Sequence, residues 1–183
     1  MVTRRTQSRK AGSLTTAEAR RRARSIRLIL SDVDGVLTDA GVYYSANGEE
    51  LYRFSRRDGM GTTILRAEGI ETGIITSEDS AIIRRRAEKL QLRHVALGIK
   101  DKLDHLPRML QASGLTVAQV AYIGDDVNDL GIIREIGKRG LTAAPLDAVQ
   151  TILRMVHYRC AERVGYGAFR DFAEWILALR KKD

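Results

Sequence analysis

The sequence predicts an α/β fold: a Rossmann-like sandwich with a mainly parallel central sheet and a protruding β-hairpin. Three observations carry this. Short β-branched runs alternate with helical patterns from residue 26 onward. One Asn-Gly step, Asn47-Gly48, breaks the alternation between two apolar runs, a strong hairpin signal. Polar residues collect where strand signals stop, as in parallel sheets that bind ligands outside the carboxyl ends of their strands. The 183 residues, 44% hydrophobic and 30% charged, suffice for one core.

In chain order, residues 1–13 are polar and basic and are expected to be disordered. Thr15 and Glu18 have capping-box spacing, which predicts a short helix over about 16–24. Its apolar side is only alanine, so a solvated leader helix on the surface is expected. Residues 26–30 (IRLIL) read as a strand, and 41–45 and 51–54 as the hairpin arms. A helix over 58–67 leads to a strand at 72–75, then a helix over 80–90 with Ile82, Ile83 and Leu90 inward and arginines outward. A short strand at 94–97 precedes a helix over 102–112, interrupted near its start by Pro107. Thr116 and Gln119 repeat the capping-box spacing ahead of the strand 120–123 (VAYI). Helices at 128–136, 147–156 and 167–180, with a weak strand at 141–143, complete the pattern.

Composition excludes several classes. No apolar run approaches the roughly 18 residues that span a bilayer. The first ten residues lack the apolar segment of a secretory signal, and one cysteine, Cys160, forms no internal disulfide. A cytoplasmic protein is expected, with no membrane partner. The net charge of +8 is nearly all in residues 1–25, which hold eight basic side chains against Glu18. The body is almost neutral, which argues against a nucleic-acid-binding domain. The expected organisation is a basic N-terminal extension, 1–25, and a single domain, 26–183.

The strand ends carry the chemistry. Asp32 and Asp34 follow the first central strand, Thr76 and Ser77 the next, and Asp125 and Asp126 the VAYI strand, with Asn128 and Asp129 close behind. Lys102 opens a helix between them. Carboxylates this close raise one another's pKa, and a divalent cation relieves the repulsion. Hard oxygen ligands select Mg²⁺, usually together with a phosphate, and a lysine and a hydroxyl serve the remaining phosphoryl oxygens. Aspartate is also a competent nucleophile for phosphoryl transfer.

DVDGVLTD (32–39), the Thr76 strand end, Lys102 and GDDVND (124–129) resemble the four motifs of the haloacid dehalogenase superfamily. The hairpin GVYYSANGEELYRF, RRDGMG (56–61) and RRRAEKL (84–90) are similar to its small capless members acting on phosphates of 3-deoxy-2-ulosonic acids. The resemblance covers about residues 26–177. It implies a hydrolase with Asp32 as nucleophile and metal ligand. Asp34 would be the acid/base, binding Mg²⁺ through its carbonyl. Thr76, Ser77 and Lys102 would bind phosphate. Asp125 would be the third metal ligand, with Asp126 and Asn128 behind it. Ser77 stands where many relatives place glycine. Only the backbone N–H is needed there, so activity should survive.

For substrate choice, Glu78 and Lys89 make the chain more similar to the nine-carbon enzymes, the 2-keto-3-deoxynononate 9-phosphate phosphatases, than to the octulosonate 8-phosphate ones. Eleven residues separate the two, about three helical turns on one face. Arg86 is a candidate for the sugar carboxylate. The resemblance also implies a homotetramer sharing its sites, since no residues remain for a cap and the hairpin exposes Val42, Tyr43, Leu51 and Phe54. There the segment 165–170 would reach an adjacent site, with Arg170 at the substrate carboxylate.

Other classes fit less well. In a phospho-receiver domain the acceptor aspartate follows a middle strand and the acidic pair the first, the reverse of the order here. A non-catalytic scaffold or regulatory domain, as found fused to a cytidylyltransferase, has no use for Asp32, Asp34, Thr76, Lys102 and Asp125 together. His94, His105 and His157 lack ligand spacing, and Cys160 lies off every motif.

Overall fold

The computed structural model describes residues 14–46, 48 and 50–181. The expectations for residues 1–13, and for Asn47 in the turn, lie outside the described residues. The element order is α1 (Thr16–Ser25), β1 (Leu28–Ser31), β2 (Tyr43–Tyr44), β3 (Glu50–Leu51), α2 (Arg56–Ala67), β4 (Glu71–Ile75), α3 (Ala81–Lys89) and β5 (His94–Ala96). It continues with α4 (Lys102–Ser113), β6 (Val120–Ile123), α5 (Leu130–Gly137), β7 (Leu141–Ala144), α6 (Gln150–Leu153), β8 (Tyr158–Arg159) and α7 (Ala168–Arg180).

Six strands form one sheet in the order β5-β4-β1-β6-β7-β8, every neighbouring pair parallel. The central strands are buried along their whole length, and alternate residues serve two cores. Ile29, Ala121 and Ile123 pack with Leu65, Ile83, Phe169 and Phe172 on the α2–α3–α7 side. Leu28, Leu30, Val120 and Tyr122 pack with Leu106, Ile132, Ile133 and Ile152 on the α4–α5–α6 side. This is the expected sandwich, and no cap domain covers it.

The departures have physical reasons. α1 is not a solvated leader. Ala19 and Ala23 are buried, and Arg22 donates to Gly137 O and Gly140 O at 2.9 Å each. Alanine suits that face because a small side chain lets the helix sit close. Glu18 pairs with Arg21 and Arg22 instead of closing the capping box, although Thr15 Oγ1 does accept from Glu18 N. Pro107 does not interrupt α4. Its missing N–H falls on the exposed face it shares with Leu103, where water can serve the freed carbonyl. α6 is a single turn where 147–156 was expected, and the edge strand β8 is too short to show in the sequence. The hairpin pairing is shorter than expected. Tyr43, Tyr44 and Leu51 are exposed, whereas Phe54 turns back onto the α2 side of the core.

Candidate active site

The loop after β1 begins with Asp32, only 3% exposed. One carboxylate oxygen accepts from Val33 N at 2.7 Å, and the other meets Lys102 Nζ at 2.6 Å. The chain turns at Gly35, φ +76°, where any side chain would collide with the Asp125 carboxylate. Glycine thus lets the first acidic loop lie against the second. Thr38 Oγ1 donates to Asp34 Oδ1 at 3.1 Å. Thr76, at the end of β4, is buried, and its hydroxyl accepts from Glu78 N. Asp32, Asp34 and Thr76, with Ser77, Asp125, Asp126 and Asn128, line one cleft of about 340 Å³ at the carboxyl edge of the sheet. Lys102, the first residue of α4, lies behind Asp32 with its ammonium buried, and it reaches the cleft through that carboxylate.

Asp129 has a larger part than its motif suggested. It is completely buried, and its carboxylate collects three donors: Lys102 Nζ at 2.7 Å, Tyr122 OH at 2.6 Å and Asp125 N at 2.9 Å. Neither it nor Tyr122 was among the predicted site residues. The available signal was the four-residue step from Asp125 across the turn before α5, which returns the second carboxylate beneath the first.

Carboxylate oxygens of Asp32, Asp125 and Asp129 lie within 4.8 Å of one another. Burial and the Asp129 charge push the Asp32 carboxyl up, while Lys102 pulls it back. Burial, then Asp129 and Asp126, push Asp125 up to about 7. Asp129 is saturated by its own donors, so Asp32 and Asp125 are left with excess negative charge facing the cleft. That donor set suits a hard divalent cation.

Glu78, Lys89, Arg86 and Arg170 lie elsewhere, whereas Asp126 and Asn128 stay at the rim of the cleft. Glu78 is exposed in the loop before α3, and Lys89 is exposed at that helix's last turn, so the two do not share a helix face. Arg86 is not outward. It donates to Ser55 O at 3.0 Å and lies 5.4 Å from the Phe54 ring centre, outside the cleft. Arg170 pairs with Glu174 on α7. The segment before it is held by its own chain, since Gly165 N donates to Val36 O and Arg53 donates to Gly165 O. Asp126 caps Val127 N at the exposed rim, and Asn128 is exposed beside it. Cys160 is buried, and its thiol is pushed up by burial, so it is no nucleophile.

A parallel sheet that delivers two aspartates two residues apart, a threonine, a lysine and a further aspartate to one uncapped cleft defines an aspartate-based phosphohydrolase. No family model matches the chain. It is 37% identical over 161 residues to 3-deoxy-D-manno-octulosonate 8-phosphate phosphatase of Yersinia pestis, covering 88% of this chain and 84% of that one. A crystal structure of that phosphatase from Yersinia pestis superposes with a TM-score of 0.84 at 36% identity, over 89% of this chain and 86% of that one. The Moraxella catarrhalis phosphatase, solved with magnesium, phosphate and the octulosonate KDO, superposes at 0.84 with 33% identity, over 91% and 94% of the two chains. The chain belongs to the haloacid dehalogenase superfamily, in the family of 3-deoxy-D-manno-octulosonate 8-phosphate phosphatases, and is a phosphoric monoester hydrolase.

Proposed function

We propose that this chain hydrolyses 3-deoxy-D-manno-octulosonate 8-phosphate, with Mg²⁺, through an aspartyl-phosphate on Asp32. The observation that supports it best is the convergence of Asp32 and Asp125 in one cleft, with the Lys102 ammonium buried against Asp32. Asp32, Asp125 and the carbonyl of Asp34 would hold Mg²⁺, which when bound draws charge off the phosphoryl oxygens. Lys102 opposes the upward push that burial and Asp129 exert on Asp32, and contacts the phosphate. Thr76 Oγ1 and the Ser77 N–H take its remaining oxygens. An Asp32 oxygen attacks phosphorus as the P–O bond to the sugar breaks. Asp34, oriented by Thr38, gives its proton to the departing alkoxide. It then takes one from the water that attacks phosphorus and frees Asp32 and inorganic phosphate.

The octulosonate replaces the nine-carbon acid expected from Glu78 and Lys89. That expectation came from a resemblance at Glu78 and Lys89; Glu78 lies outside α3 and shares no helix face with Lys89. The Yersinia pestis relative is named for octulosonate 8-phosphate, and the Moraxella catarrhalis structure contains the octulosonate. The test is phosphate release from octulosonate 8-phosphate, nononate 9-phosphate and N-acetylneuraminate 9-phosphate with Mg²⁺. The first should have the highest kcat/KM, and Asp32→Asn should abolish turnover of all three. A preference for a nine-carbon substrate overturns the substrate, and a phosphorylated residue other than Asp32 overturns the mechanism.

The same reading includes assembly as a homotetramer. Tyr43, Tyr44 and Leu51 are exposed apolar groups on a lone hairpin, and the cleft has no cap. Light scattering on the full chain checks this, and a fully active monomer overturns it. Among the described residues no helix is long and apolar enough to cross a membrane.

A further inference from the structure

We infer that Tyr122 is a positioning residue for phosphoryl transfer: its hydroxyl sets how the Lys102 ammonium is divided between Asp129 and the phosphate. The inference deepens the proposed reaction and rests on Lys102 being the phosphate cation.

Tyr122 lies on β6 and is completely buried among Leu30, Leu106, Ile132 and other apolar side chains of the α4–α5 side. Phenylalanine would fill that space equally well, and a hydroxyl there is unfavourable unless it is partnered. Its partner is Asp129 Oδ1 at 2.6 Å. The same oxygen accepts from Lys102 Nζ at 2.7 Å, while Asp129 Oδ2 is held by Asp125 N at 2.9 Å. Lys102 Nζ also bonds Asp32, at 2.6 Å, and has a long contact of 3.4 Å to the tyrosine oxygen.

One buried carboxylate oxygen therefore has two donors, a phenol from the core and an ammonium from the cleft. Each donor lowers the oxygen's demand for the other. Without the phenol, Asp129 Oδ1 has Lys102 alone and draws the ammonium toward itself. That direction leads away from Asp32, where the phosphoryl group must be received. Asp125 stays in place because its bond to Asp129 uses the other oxygen. The hydroxyl should thus affect phosphate and leave metal affinity unchanged.

The experiment uses the full chain with Mg²⁺ and inorganic phosphate as the probe. In Tyr122→Phe, kcat should fall roughly tenfold and the inhibition constant for phosphate should rise by a similar factor, the usual scale for one hydrogen bond to a charged group. The half-saturating Mg²⁺ concentration should not change. Added to Asp129→Asn, Tyr122→Phe should have little further effect, because the hydroxyl acts through that carboxylate. A folded Tyr122→Phe enzyme with wild-type phosphate inhibition overturns the inference, as does an undiminished effect in the Asp129→Asn background. Should Tyr122→Phe not fold, Asp129→Asn alone must strengthen phosphate inhibition at constant Mg²⁺ affinity, because the neutral amide draws the ammonium less, and its failure to do so also overturns the inference. Lys102→Met separates the two readings: unchanged phosphate inhibition in that variant removes Lys102 as the phosphate cation, whatever Tyr122 does.

Discussion

The carboxyl edge of the sheet and the junction of α2 with α7 each bury an aspartate, and their surroundings differ. Asp129 at the edge is fully partnered, by an ammonium, a phenol and a backbone N–H. Asp58 at the junction is 2% exposed, and it accepts from Arg170 N at 3.0 Å through Oδ1, while among the described residues no hydrogen bond meeting ordinary geometry reaches Oδ2. Its nearest countercharge, Arg86, is spent on Ser55 O. Burial is the main reason the Asp58 carboxyl rises to about 6. Burying a carboxylate is therefore not one kind of event. At the edge the charge organises a cation for chemistry. At the junction it fixes the first turn of α7 at some expense in stability.

The largest effect that would sharpen this contrast comes from Lys102→Met. It leaves Asp32 and Asp129 buried without their cation, which should destabilise the metal-free protein by about 3–5 kcal/mol near neutral pH. Turnover should fall by about 10²–10³-fold, the scale of one lost transition-state donor. The stranded Asp32 carboxyl would have a raised folded-state pKa, so the destabilisation is full above that value and shrinks as it protonates on acidification. Urea unfolding in chelator across a pH series measures this, and a pH-independent loss would break the comparison.

Asp58→Asn acts in the opposite direction. The folded state holds the Asp58 proton more tightly than the ordinary value of 3.8, so this group withdraws stability as pH rises from 3.8 to about 6. Asparagine keeps an acceptor for Arg170 N and removes the charge. A gain of about 1–3 kcal/mol is expected above pH 6, vanishing below about pH 4. Melting temperature against pH measures it, and an unchanged slope would show that Asp58 is better compensated than its geometry implies.

Arg86→Met should have the smallest effect. It removes one bond to a carbonyl, worth about 1 kcal/mol, and a positive charge that acts on Asp58. The Asp58 titration should move to higher pH. Retention of the wild-type profile would mean that Arg86 does not act on Asp58.

The sequence carried the sheet well because its central strands are short, β-branched and closed by acidic turns. The VAYI strand runs over residues 120–123 as expected. The cleft followed from the same rule, since residues just past parallel strands must converge. What escaped depends on depth. Asp129 resembles any charge in GDDVND until the turn before α5 brings it under Asp125. Tyr122 reads as a strand aromatic, and only its environment makes its hydroxyl matter. Arg86 sits in a run of three arginines, and one-dimensional periodicity gives no sign that this one folds back over Phe54. Glu78 and Lys89 do not share a helix face because α3 begins three residues after Glu78.

Gly165 has a consequence for the order of events during synthesis. Its φ is +65°, and a Cβ there would approach Asp39 N to 2.5 Å, so this glycine alone lets the late loop press on the turn that follows Asp34. Its N–H is the donor that reaches the Val36 carbonyl. A nascent chain thus has Asp32 and Asp34 long before Gly165, the strut that sets their loop. Ribosome-bound intermediates that stop short of Gly165 would carry an acidic loop of unfixed shape, and phosphatase competence would appear abruptly once that later loop docks.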